Sequence, residues 1–132
     1  MEIQYAYTIL YVENVQETIS FYQQAFGFQQ KFLTPEKDYG EIVSGATTIA
    51  FANFELGNSN FSKGFQESQL SQKPFGFELV FTTTEVEKVM ENAVEVGAEI
   101  LEAPETKPWG QMVGYLRDIN GFIIEICTPI VN

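Results

Sequence analysis

Histidine is absent from this 132-residue chain. Its absence removes a two-histidine-one-carboxylate iron site, a catalytic zinc site built on imidazole and any mechanism with histidine as general base. Cysteine occurs once, as Cys127, so no internal disulfide can form, which suits a reducing cytoplasm. No cationic residue near Cys127 in sequence would activate it, and it reads as a small buried hydrophobe. Cations are scarce too: 7 Lys+Arg against 18 Asp+Glu give a net charge of −11. None of the seven forms a cluster, and without a basic footprint a nucleic-acid partner is not expected. No apolar run approaches the roughly 20 residues that span a bilayer, so no membrane partner is expected. The opening Met1-Glu2-Ile3-Gln4 lacks the basic and apolar stretches of a signal peptide, and the expected location is the cytoplasm. A phosphate-binding glycine loop, a Ser/His/Asp set and a paired-cysteine metal motif are also missing. The acidic balance favours cationic partners, or does no more than keep the protein soluble.

What is present is a core. With 45% hydrophobic and 14% aromatic residues, the chain can fold without staples as one domain or as two small packed modules. Residues 5–12, rich in β-branched and aromatic types, read as a strand. Asn14 then caps a helix in which Val15, Ile19, Tyr22 and Phe26 recur at helical spacing, and Gly27 ends it. Strands follow at 28–34, 39–44 and 47–53, with Ser44-Gly45-Ala46 as the tight connection between the last two. A polar stretch, 55–74, is longer than an ordinary connection and reads as a linker or a lid, with Phe61 and Phe65 packing on something. The pattern then restarts: a strand at 77–83, a helix at 85–96 with Val86, Val89, Met90 and Ala93 on one face, and strands at 99–103, 112–117 and 122–127. Two β-α-β-β-β units offset by about 71 residues make an α+β fold from an internal repeat, setting Tyr7 against Glu78 and Leu10 against Phe81. The expected organisation is one domain over 1–132, with a first module to about 54, a linker or lid over 55–75, and a second module from 76.

Three stretches carry a family resemblance. Leu10-Tyr11-Val12-Glu13-Asn14, then Ile19-Ser20-Phe21-Tyr22 and Phe26-Gly27-Phe28, form the first. Trp109-Gly110-Gln111 leading to Arg117-Asp118-Ile119-Asn120-Gly121-Phe122-Ile123-Ile124-Glu125-Ile126 forms the second, and the spacing of Phe77 to Gly97 the third. In this order they resemble the vicinal oxygen chelate superfamily of glyoxalases, bleomycin resistance proteins and dioxygenases. The resemblance implies paired modules curled into an open β-sheet barrel with a central cavity, and a homodimer. In metal-dependent members four strand positions supply ligands, and carried across these fall on Tyr7, Ala50, Glu78 and Glu125. Ala50 is set by matching Ile49-Ala50-Phe51 to Ile124-Glu125-Ile126.

Strand parity extends this set. If Tyr7 faces a cavity, Tyr5, Ile9 and Tyr11 share its side while Thr8, Leu10 and Val12 pack under the helix. Glu78 shares a face with Val80 and Thr82, with Phe77, Leu79 and Phe81 toward the core. Glu125 alternates out between Ile124 and Ile126, since an isolated buried charge is too costly. The expected cavity is therefore lined by Tyr5, Tyr7, Tyr11, Ala50, Glu78, Trp109 and Glu125. The tyrosines serve as a binding wall or as ordinary packing, and Glu125 as a ligand contact or a mere hydrogen-bond acceptor. Two carboxylates, Glu78 and Glu125, plus a tyrosine could hold Mg²⁺ or Mn²⁺, but such ions usually need more oxygen ligands than the site offers, so the expectation is no metal or other cofactor. The expected function is metal-free binding of a small organic molecule, cationic or aromatic in part. The alternative is a lyase- or dioxygenase-type enzyme with an atypical carboxylate metal site, or with Glu78 or Glu125 as a metal-free base.

Overall fold

In a computed structural model, residues 1–130 are described. The elements run β1 (Thr8–Val12), α1 (Val15–Phe26), β2 (Gln29–Leu33), β3 (Tyr39–Ser44), β4 (Thr47–Asn53), α2 (Phe54–Asn60), β5 (Glu78–Thr82), α3 (Val86–Glu95), β6 (Glu99–Thr106), β7 (Met112–Arg117) and β8 (Ile123–Cys127). They divide into two compact units, the first Met1–Gln23 with Gly27–Glu67, the second Gln24–Phe26 with Ser68 onward. Each holds an open four-stranded sheet, ordered β1-β4-β3-β2 and β5-β8-β7-β6. The β-α-β-β-β repeat is therefore present, with one parallel and two antiparallel pairings in each copy.

In the first unit Asn14 Oδ1 accepts from the Glu17 N–H at 2.9 Å, and Gly27, in the left-handed region at φ 74°, closes the helix through its N–H to Gln23 O. Val15, Ile19 and Tyr22 are buried, and the Tyr22 ring lies 5.2 Å from that of Phe51 on β4. Gly40 brings β3 close to the helix, since a Cβ there would sit 2.6 Å from Ile19 Cδ1. Leu10, Val12, Ile42 and Phe51 thus form the helix-facing core, and the alternate residues face the other way.

The second unit repeats the plan. Val86, Met90 and Ala93 are buried on α3, and a Cβ on Gly114 would overlap Met90 Sδ. Leu116, Ile124 and Ile126 are fully buried beside it, whereas Val80 is 51% exposed. Two local readings are corrected. The first strand begins at Thr8, leaving Tyr5 and Tyr7 before it, and Phe77 is 43% exposed instead of facing the core.

The polar stretch after β4 is not a free linker. Its first part is α2, started by Asn53 Oδ1 accepting from the Leu56 N–H at 2.8 Å, a cap that offsets the weak helix formers Gly57 and Asn58. Phe61 and Phe65 then pack on Tyr11 with ring centroids 6.1 and 4.8 Å away. Gly57 is required beneath them, because a Cβ would come within 2.8 Å of both Tyr11 and Phe65. Its last part is held in the second unit by the buried Arg117, whose guanidinium donates to the carbonyls of Gln69, Leu70, Gln72 and Gly121. Ser68 Oγ adds a bond to Asn120 O at 2.8 Å.

Candidate functional site

In the second unit the sheet face turned away from α3 carries a pair of acids. Glu125 lies mid-strand on β8, between the fully buried Ile124 and Ile126. Its ladder partners are Val80 on β5 and Tyr115 on β7, and Glu102 on β6 continues the row beyond Tyr115. Directly paired residues project to one face, so Val80, Glu125, Tyr115 and Glu102 form one line across the sheet. Glu78 pairs with Ile123, two residues before Glu125, and the two acids are diagonal neighbours on that face.

Their carboxyl groups come within hydrogen-bonding reach, so that a proton on one lets it donate to the other. That hydrogen bond, then burial, then the charge of Glu125 push Glu78 up to about 7 from an ordinary 4.5. Tyr115 is raised as well, first by burial and then by the negative charge of Glu125 and Glu78. Burial, with Glu125 beside it, pushes the Cys127 thiol up to about 11, so it stays a neutral thiol and not a nucleophile. The arrangement is thus two adjacent acids, flanked by a phenol and a thiol. It can accept hydrogen bonds from a cation, or exchange a proton with a bound molecule near neutral pH.

Among the described residues no group of three or more His, Cys, Asp or Glu side chains is arranged to hold a metal. Mg²⁺ or Mn²⁺ would need more oxygen donors than Glu78 and Glu125 supply.

The other expected site residues are spread more widely. Trp109 is 66% exposed and lines a cavity of about 250 Å³ with Gly110, Gln111, Pro129 and Ile130. Its indole N–H donates to Gln111 Oε1 at 2.9 Å, and Gln111 Nε2 donates to Thr128 O at 2.8 Å, so the ring is oriented although exposed. Tyr5, Tyr7, Tyr11 and Ala50 belong to the first unit. The Tyr5 hydroxyl meets that of Thr8, and Tyr11 is occupied by Phe61 and Phe65. Ala50 is fully buried, paired with Ile9 on one side and Glu41 on the other. By these ladders Ala50 holds in the first unit the position that Glu125 holds in the second. Tyr7 approaches the hydroxyl of Tyr39, which in turn donates to Glu41 Oε2 at 2.6 Å.

Tyr115, Tyr39 and Glu41 were missed by reasoning along single strands. A signal existed: the tight turn at Ser44-Gly45-Ala46 fixes Ser44 opposite Thr47, and counting back sets Glu41 against Ala50.

A model of the glyoxalase-like domain matches residues 5–131. The chain belongs to the glyoxalase-like domain family. Its fold is similar to that of a glyoxalase-related enzyme from Fulvimarina pelagi, with 21% identity over 96% of this chain and 89% of that one, and a TM-score of 0.80. A glyoxalase/bleomycin resistance protein/dioxygenase family enzyme from Burkholderia phytofirmans matches at 23% identity over 95% and 98%, with a TM-score of 0.76. A fosfomycin resistance protein from Mesorhizobium loti matches at 11% over 99% and 96%, with a TM-score of 0.68. At these identities the likeness establishes the fold alone. No curated protein matches the chain significantly. No helix among the described residues is long and apolar enough to cross a membrane.

Proposed function

We propose that this glyoxalase-like protein binds a small organic molecule without a metal, taking its cationic or hydrogen-bond-donating group at Glu78 and Glu125. The observation that carries the reading is the placement of Glu78 and Glu125 as diagonal neighbours on the sheet face away from the helix, where each acid raises the other's affinity for a proton or a cation. A cationic group arriving there takes the place of a proton and satisfies two carboxylates at once, a stronger arrangement than a neutral hydrogen bond. Tyr115 offers a phenol beside them. Trp109 offers an oriented ring over a cavity of about 250 Å³, a place for a planar group that the acids themselves do not line. The net charge of −11 draws cations toward the surface. Among the structural neighbours, proteins named for bleomycin and fosfomycin resistance point to small molecules as the ligand class.

The working form in this reading is a cytoplasmic homodimer. Its location rests on the single unpaired Cys127, and the dimer on apolar side chains left in water, among them Tyr5, Ile9 and Val80.

One feature favours a second reading, a metal-free acid–base enzyme: the hydrogen bond to Glu125, burial and the charge of Glu125 push Glu78 up to about 7, where a general base works best. A single variant separates the two. Aromatic amines and amidines that raise the melting temperature are titrated calorimetrically into wild type and Glu125→Gln. A binder loses affinity by about tenfold or more, the worth of a charge-assisted hydrogen bond. Unchanged affinity would refute the acid pair as the binding centre, and a loss of turnover without a loss of affinity would establish the enzyme.

A further inference from the structure

The first unit has an acid of its own, one strand away from where the repeat would put it. Across its sheet the ladder reads Ile9 on β1, Ala50 on β4, Glu41 on β3 and Phe32 on β2. These four are directly paired and so share the face turned away from α1. The matching row of the second unit reads Val80, Glu125, Tyr115 and Glu102. Acid followed by aromatic occurs in both rows, displaced by one strand.

Glu41 is half-buried, and its Oε2 accepts from Tyr39 at 2.6 Å. Its other oxygen accepts no hydrogen bond from any described residue, and the carboxylate forms no ion pair among them. That oxygen is not sealed away, because no side-chain oxygen is both buried and unsatisfied among the described residues. Lys31, on the neighbouring strand β2, is turned instead to Thr48 Oγ1 at 3.4 Å. Two rings flank the acid: Tyr39, and Phe32 with its centroid 6.4 Å from that of Tyr39. Phe32 is 47% exposed, beside a register shift between Gln30 and Phe32 that interrupts the strand. A tethered carboxylate with one free oxygen and two rings beside it suits a cation that carries N–H donors. The oxygen takes the hydrogen bond and the ring faces take the charge.

We propose that Glu41, oriented by Tyr39 and flanked by Phe32, is a second binding centre, specific for an organic ammonium or amidinium group. Tyr39 is a positioning residue. Burial and the adjacent Glu41 raise its phenol well above the ordinary 10.0, so it remains a donor to Glu41 across the working pH range. Glu41 belongs to the first unit and the acid pair to the second, and variants of each test the two apart.

The test is a titration of the isotope-labelled full chain with benzamidine, followed by amide and tyrosine ring signals in wild type, Glu41→Gln, Tyr39→Phe and Glu125→Gln. The signals also report whether each variant is folded. Expected are saturable shifts at Phe32, Tyr39 and Glu41 in wild type and in Glu125→Gln. Affinity at these positions should fall by about tenfold or more in Glu41→Gln, on the strength of a charge-assisted hydrogen bond. It should fall by less in Tyr39→Phe, where the acid remains but its orientation is lost. Neutral benzamide should leave the same signals in place. Shifts confined to Glu78 and Glu125 would overturn this centre and leave the proposed function standing. Shifts confined to Glu41 would uphold it and count against the acid pair, and no shift at either would overturn both. Equal shifts in wild type and Glu41→Gln would also refute it.

Discussion

The two units are alike on one side of their sheets and different on the other. Toward the helix the parts repeat: Ile19 against Gly40 in the first unit, Met90 against Gly114 in the second. Both glycines are there because the sheet approaches its helix too closely for a side chain. On the opposite face, Ala50 stands where Glu125 stands and Glu41 where Tyr115 stands, while Tyr7, before the first strand, has no ladder position to match that of Glu78. The packing that holds a unit together admits few residues, whereas the outer face is free to carry any chemistry. A duplicated fold therefore supplies two copies of a geometry, and function resides in how far the two faces have diverged.

The strongest challenge to the comparison restores the acid that the first unit lacks. Ala50→Glu sets a carboxylate at a fully buried position directly beside Glu41. With both acids charged, stability at pH 7.5 should drop by about 3 kcal/mol, and part of this should return at pH 5 as the pair takes up a proton. Urea unfolding at the two pH values measures it, and an unperturbed variant would mean that the two faces are not equivalent. Next come the glycines. Gly40→Val and Gly114→Val should each cost about 2 kcal/mol from overpacking, similar in size because they meet matching helix residues. A marked inequality in thermal unfolding would break the repeat on its better-matched side. The smallest effect concerns the helix starts. Asn14 caps α1 with its side chain, whereas Glu85 at the matching place on α3 makes no such bond. Asn14→Ala should cost about 1 kcal/mol and Glu85→Ala only a few tenths, by the same unfolding assay.

The helix-facing side was legible in sequence because periodicity reports packing. Val15, Ile19 and Tyr22 on α1, and Val86, Met90 and Ala93 on α3, are the buried residues that helical spacing marks. The repeat offset and the position of Glu125 between two buried isoleucines were legible for the same reason. Other features were hidden. Helix α2 is written in poor helix formers and depends on the Asn53 cap and on aromatic cover from Phe61 and Phe65, which are tertiary contacts. The carbonyl cage around Arg117 joins residues 45 to 48 positions apart, a separation no local pattern encodes. On the outer face Tyr39, Glu41 and Tyr115 came to light only through strand pairing, because hydrogen-bonded neighbours across a ladder leave no periodic mark in one strand.

The acid pair also has a pH signature. Glu78 holds its proton more tightly in the folded chain than at its ordinary 4.5. Its contribution to stability is therefore present below about 4.5 and is lost as pH rises toward and through about 7. The measurement that tests the shared proton most directly is a titration of the Glu78 and Glu125 carboxyl carbons by nuclear magnetic resonance, in wild type and in Glu125→Ala. Glu78 should titrate at about 7 in wild type and fall back toward 4.5 when its partner is removed. If Glu78 titrates near 4.5 in both proteins, no proton is shared, and the pair is two separate surface carboxylates.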